Sequence, residues 1–203
     1  MIVFDTTTLS LLFLPGVTIG SRLTNKPVKY AKERVDALID RIATDEDAIL
    51  IPAPVLSELV VKIPSRADEL LGKTRKTECG AIRSRLGLAV RAAPFARLKK
   101  LRATPWFRIG SFDAAAAVEL GLRTTKAMAA GDKREGLQAD WTKVKFDRQI
   151  VAIALVNNAA EIISDDAAVA SIGERWGVKV TSIEDLPLPP ELIPPPLLAP
   201  LED

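Results

Sequence analysis

The chain has 203 residues, 48% of them hydrophobic and 27% charged, with a formal net charge of +2. That is enough apolar material for one well-filled core and too little for two. It contains no histidine and a single cysteine, which excludes imidazole general bases, Ser-His-Asp triads, an internal disulfide and His- or Cys-rich zinc sites. If the chain is an enzyme, carboxylates carry much of its chemistry, and carboxylates alone favour hard cations such as magnesium or manganese.

Ile2, Val3 and Phe4 read as a short buried strand, ended abruptly by Asp5 and three threonines. No basic residue precedes Arg22, and the apolar stretch from Leu9 to Val17 is broken by Ser10, Pro15 and Gly16. Neither a secretory leader nor a membrane span of about 20 apolar residues is expected, and the lone Cys79 fits a reducing cytoplasm. Residues 29–43 read as a helix with Val35, Leu38, Ile39 and Ile42 on one face. Residues 48–51 read as a second buried strand, and a helix follows from about Pro54.

Between Lys62 and Arg102 there are twelve Lys and Arg against three acids, a local net of +9, so the remainder of the chain is net acidic. Beyond it, "WFRIGSF" reads as a third strand. "DAAAAVELGLRTTKAMAAG" then reads as a helix with Asp113 at its N-cap. "RQIVAIALVNNA" is apolar nearly all round and predicts a central buried helix; "EIIS" is a strand, "DDAAVASIGERWG" a helix stopped by Gly177, and "VKVTSI" a last strand. From Pro187 onward seven of seventeen residues are proline, an extended tail outside the core. The organisation expected is one domain over 1–186, with a basic helical insertion at about 62–104 and a proline-rich tail at 187–203. Continuous apolar strands alternating with helices indicate a three-layer α/β/α sandwich around a parallel sheet, whose ligand site lies outside the carboxyl ends of the strands.

Asp5 stands at such an end. Glu58 falls in the first turns after the second strand, Asp147 at the head of the apolar helix, and Asp165 and Asp166 directly after "EIIS". Carboxylates gathered on one rim repel by roughly 1–4 kcal/mol per pair at 4 Å, and a divalent cation is the natural reason to keep them. Each also has a plainer reading. Asp147 and Asp165 stand where helix N-caps would, and Glu58 could be a solvated helix residue. Asp5 is harder to explain this way, because Thr6 to Thr8 could cap whatever follows.

Taken together, "MIVFDTTTL", "PAPVLSELV", "KFDRQIVAIAL" and "EIISDDAAV" resemble the successive motifs of the PIN-domain ribonucleases, and among these the VapC-type toxins of type II toxin–antitoxin pairs. The resemblance covers about 1–62 and 105–186. It implies a PIN-like fold and a cytoplasmic endoribonuclease dependent on Mg2+ or Mn2+. Asp5, Glu58, Asp147 and Asp166 would then be the metal ligands, with Asp165 a rival to Asp166, and Thr6 and Ser164 would be hydroxyl helpers. A cognate antitoxin protein and a homodimer are further implications.

The basic segment suits a polyanion, since Lys and Arg give RNA affinity without sequence choice. Arg75, Lys76, Arg83, Arg85, Lys99, Lys100 and Arg102 are the candidates for RNA contact, and a merely solvated helix face is the plainer account. Other functions are also weighed. A haloacid-dehalogenase-type phosphotransferase needs a second acid two residues after the first, where this chain has Thr7. A silent RNA- or protein-binding module and a non-toxin RNA-processing nuclease remain alternatives to the toxin.

Overall fold

A computed structural model describes residues 1–14, 16–22, 24–73, 92–94, 96–97, 99–100, 103–129 and 141–193. Its strands are β1 (Ile2–Phe4), β2 (Ile49–Pro52), β3 (Phe107–Gly110), β4 (Glu161–Ile163) and β5 (Val180–Thr181). They form one parallel sheet in the order β3-β2-β1-β4-β5. In the central strand, Val3 lies between Leu50 of β2 and Ile162 of β4. All three residues of β1 are buried, as both-sided cover requires.

The α-helices are α1 (Thr6–Phe13), α2 (Ala31–Thr44), α3 (Ala53–Lys73), α4 (Ala114–Ala129), α5 (Trp141–Val156) and α6 (Ala167–Trp176). Helix α1 packs on α2 and α3, and α5 packs on α4 and α6. The result is the expected three-layer sandwich. Helix α2 is amphipathic, burying Ala31, Val35, Leu38 and Ile42 as a stripe. Helix α5 buries five consecutive residues, Ile150 to Ala154, which fits a helix enclosed on every side. Trp106 and Trp176 pack in or against the core. Asp113 caps α4 by accepting from the Ala116 amide at 3.0 Å, and Gly177, at φ 74°, ends α6 in the left-handed region that glycine favours.

Helix α1 was not anticipated: three threonines, stiff at χ1, obscure a helix that one aspartate caps. Strands β3 and β5 are shorter than their apolar runs, and α5 begins at Trp141 rather than near residue 148. Arg75, Lys76, Arg83, Arg85 and Arg102 lie outside the described residues, as do Cys79, most of the basic segment and the tail beyond residue 193. No helix among the described residues is long and apolar enough to cross a membrane.

The strand order matters for function. The chain moves from β1 to β2 and β3 on one side, then returns to β4 and β5 on the other. The crossovers therefore diverge between β1 and β4, opening a crevice at their carboxyl ends.

Close packing of α6 on the sheet is testable at Gly173. A Cβ there would collide with the Val180 side chain and lie 2.9 Å from the Val178 carbonyl oxygen. Gly173→Ala should destabilise by about 1–3 kcal/mol, and thermal denaturation should show Tm falling by about 2–4 °C per kcal/mol. An unchanged Tm would contradict this packing.

Candidate functional site

A cavity of about 290 Å³ opens at that crevice, and Asp5, Thr6, Thr7, Glu58, Lys62, Phe146, Asp147, Ile150, Asp166 and Val169 line it. Residues from the four acidic motifs, up to 161 positions apart along the chain, thus share one wall (5 and 166). Asp165 does not line the cavity.

Asp5 follows β1 directly and is buried, with 2% of its surface exposed. It is the N-cap of α1: Oδ1 accepts from the Thr8 amide at 2.8 Å. Oδ2 accepts from the Ser164 hydroxyl at 2.5 Å. The threonines, which could have capped the segment that follows, do not: the aspartate caps it. The threonines act otherwise. Thr6 Oγ1 donates to Glu58 Oε2 at 2.6 Å, and Thr8 Oγ1 donates to the Ile163 carbonyl at the end of β4 at 2.8 Å. Burial pushes the Asp5 carboxyl above its ordinary value, opposed by the hydrogen bonds from Ser164 and Thr8.

Ser164 joins the two central strands. Its hydroxyl donates to Asp5 and accepts from the Asp166 amide at 3.0 Å. Asp166 is the N-cap of α6, with Oδ1 accepting from Ala168 N at 2.7 Å. Asp165 turns the other way: it accepts from Ser182 Oγ at 2.5 Å and Ile183 N at 3.1 Å, tying β4 to the segment after β5. The capping role expected for Asp165 thus belongs to its neighbour. Asp147 is not a cap either. It lies well inside α5, a full turn and more past Trp141, and is buried. Its Oδ2 is the buried side-chain polar atom that accepts no hydrogen bond among the described residues, although the residue makes other interactions.

Glu58, on the second turn of α3, is half-exposed. Its Oε2 takes the Thr6 hydroxyl and its Oε1 takes the Lys62 ammonium at 2.8 Å. Lys62 escaped the sequence reading as a site residue, where it was counted only within the basic segment. The signal was present: in a helix starting near residue 54, positions 58 and 62 share a face. Phe146, Ile150 and Val169 supply the apolar part of the wall. Lys99 and Lys100 are exposed, as RNA contacts would need to be.

An oxygen-only, acidic donor set suits a hard divalent cation. As the side chains stand, no three of the described acids are gathered tightly enough to grip one. The donors therefore fit such an ion in chemistry and in convergence, with side-chain movement needed to close around it.

No family model and no curated protein matches the chain. A solved structure does: a chain of the crystal structure of VapBC2 from Rickettsia felis bound to a DNA fragment from their promoter. The TM-score is 0.50 at 14% identity, covering 90% of this chain and 98% of that one. The fold is PIN-like. At that identity the likeness speaks for architecture alone, and the fold that the motifs implied is the fold observed.

The raised Asp5 carboxyl sets a stability prediction. Its folded-state value lies above the unfolded one, so the ionised form burdens the fold at neutral pH, and the burden fades below the ordinary carboxylate range near pH ~4. Asn keeps the cap through its oxygen. In EDTA, Asp5→Asn should melt at or above the wild-type Tm at pH 7, with the difference shrinking toward pH 4. A mutant clearly less stable at pH 7 would contradict the assignment of burial as the dominant influence.

Proposed function

We propose that the chain is a metal-dependent endoribonuclease that hydrolyses RNA phosphodiester bonds, acting in the cytoplasm as the toxin of a toxin–antitoxin pair. The observation that carries this reading is the meeting of Asp5, Glu58, Asp147 and Asp166 on one cavity wall at the switch point of a parallel sheet. The PIN-like fold and the motif resemblance agree with it. So does the neighbour, which is a VapBC2 complex and so favours an antitoxin as this chain's partner.

Asp5, Glu58, Asp147 and Asp166 would hold Mg2+ or Mn2+. When bound, such an ion makes a water nucleophilic at neutral pH and offsets charge on a reacting phosphate, which a chain without histidine cannot do by imidazole. The chain's own residues prepare the place. Thr8 N and Ser164 fix the Asp5 carboxylate, and the N-termini of α1 and α6 converge on the cleft with their positive ends, favouring anions there. Thr6 steadies Glu58, and Phe146, Ile150 and Val169 limit water on one side. Exposed Lys99 and Lys100 would contact the RNA backbone.

The ion pair that engages Glu58 favours a second reading, a module that binds RNA or protein without cutting. Incubation with total RNA separates the two. The wild type should cleave with Mg2+ and stop in excess EDTA. Asp5→Asn and Asp147→Asn should each lose about 10²-fold or more in rate while melting as folded proteins. Full cleavage by either mutant, or in EDTA, would refute the metal mechanism, and RNA binding without cleavage would establish the silent module.

A further inference from the structure

Among the described residues that line the cavity, Lys62 is the one basic side chain. Its ammonium is 2.8 Å from Glu58 Oε1, while Thr6 holds Oε2 of the same carboxylate. Both oxygens of Glu58 are thus engaged by the protein. No three described acids are gathered into a preformed cation site. Lys62 and Glu58 lie one turn apart on α3, and their side chains are 44% and 49% exposed. An exposed pair at this spacing is weak and can be exchanged.

We infer that Lys62 is a positioning residue that acts as a resident counter-ion: it neutralises Glu58 and parks it against Thr6 until a divalent cation enters the cleft and takes the carboxylate over. The inference rests on the metal reading of the cavity and deepens it. An ammonium and a divalent ion compete for one carboxylate, so the charge at position 62 sets how tightly the cleft binds the ion. Lys62 keeps four converging carboxylates tolerable in the ion-free protein at the cost of divalent affinity.

Calorimetric titration of the full chain with Mn2+ tests this without any cleavage assay. Lys62→Met keeps the length and removes the charge. It should bind Mn2+ about tenfold more tightly than the wild type, the size expected for one unit charge a few ångströms from the ion in a half-exposed cleft. Lys62→Arg keeps the charge and should bind as the wild type does. Melting supplies a second readout: Lys62→Met should have a lower Tm in EDTA and a larger Tm gain on adding Mn2+. A merely structural lysine would instead lower Tm equally in both conditions, and that outcome would overturn the inference. Equal or weaker Mn2+ binding by Lys62→Met, with the wild type binding, would overturn it and leave the metal reading standing. A wild type that binds no Mn2+ would remove both.

Discussion

The buried Asp5 carboxylate, held between Thr8 and Ser164, is the constraint on which the rest of the crevice depends. Taking an ionised carboxylate out of water costs several kcal/mol. Each hydrogen bond to such a charge returns about 1.5–3 kcal/mol. These hydrogen bonds offset part of the burial, and the rest survives as a carboxyl that gives up its proton less readily than usual. The arrangement also fixes geometry. Thr8 donates its amide to Asp5 and its hydroxyl to the end of β4. Ser164, just past β4, donates to Asp5 and accepts from Asp166. Two strand ends and two helix starts are locked into one hydrogen-bonded unit across the switch point.

Outside that unit, the four cavity carboxylates are offset in different ways. Asp5 and Asp166 cap helices, so the positive ends of α1 and α6 stand against their charge. Glu58 and Asp147 sit within helices and receive no such help. Glu58 instead takes an ammonium and a hydroxyl, while Asp147 is buried on the same wall, where it makes other interactions. Repulsion of roughly 1–4 kcal/mol per close pair would otherwise fall on the fold. Distributing the compensation over helix ends, hydroxyls and one lysine lets the acids converge without being in contact, consistent with the lack of a tight cluster among the described residues.

Much of this was legible in the sequence. Continuous apolar runs marked β1, β2 and β4, where burial of nearly every residue leaves no alternation to misread, while β3 and β5 at the sheet edges came from mixed stretches longer than the strands themselves. The acids could be brought to one rim because strand-to-helix junctions of a parallel sheet fall on the same edge. What failed was local. Asp5 and Asp166 are the caps, where the sequence also admits threonines in one case and Asp165 in the other, since two adjacent aspartates offer the same chemistry and only the backbone path decides between them. Helix α5 was started too late because its first turn carries lysines and a tryptophan rather than the apolar run that follows. Lys62 was hidden by its own surroundings: a basic stretch invites reading by net charge, whereas its meaning lies in its helical spacing from Glu58.

The balance of charge on the cavity wall has a consequence for any polyanion. Among the described residues, four carboxyl side chains and one ammonium line it, and the helix N-termini behind Asp5 and Asp166 offset only part of the repulsion that ionised acids would exert on a phosphodiester. Only two changes reverse that field: protonation of the acids, or the arrival of a multivalent cation. On the nuclease reading, a cation entering the cleft first would relieve that repulsion. Exposed lysines such as Lys99 and Lys100 can draw the strand toward the protein, but their field fades beyond about 10 Å at 0.1 M salt, and the last step onto the wall depends on the ion. On that reading, surface basicity would gather the strand while cleft acidity would hold it off until an ion is bound.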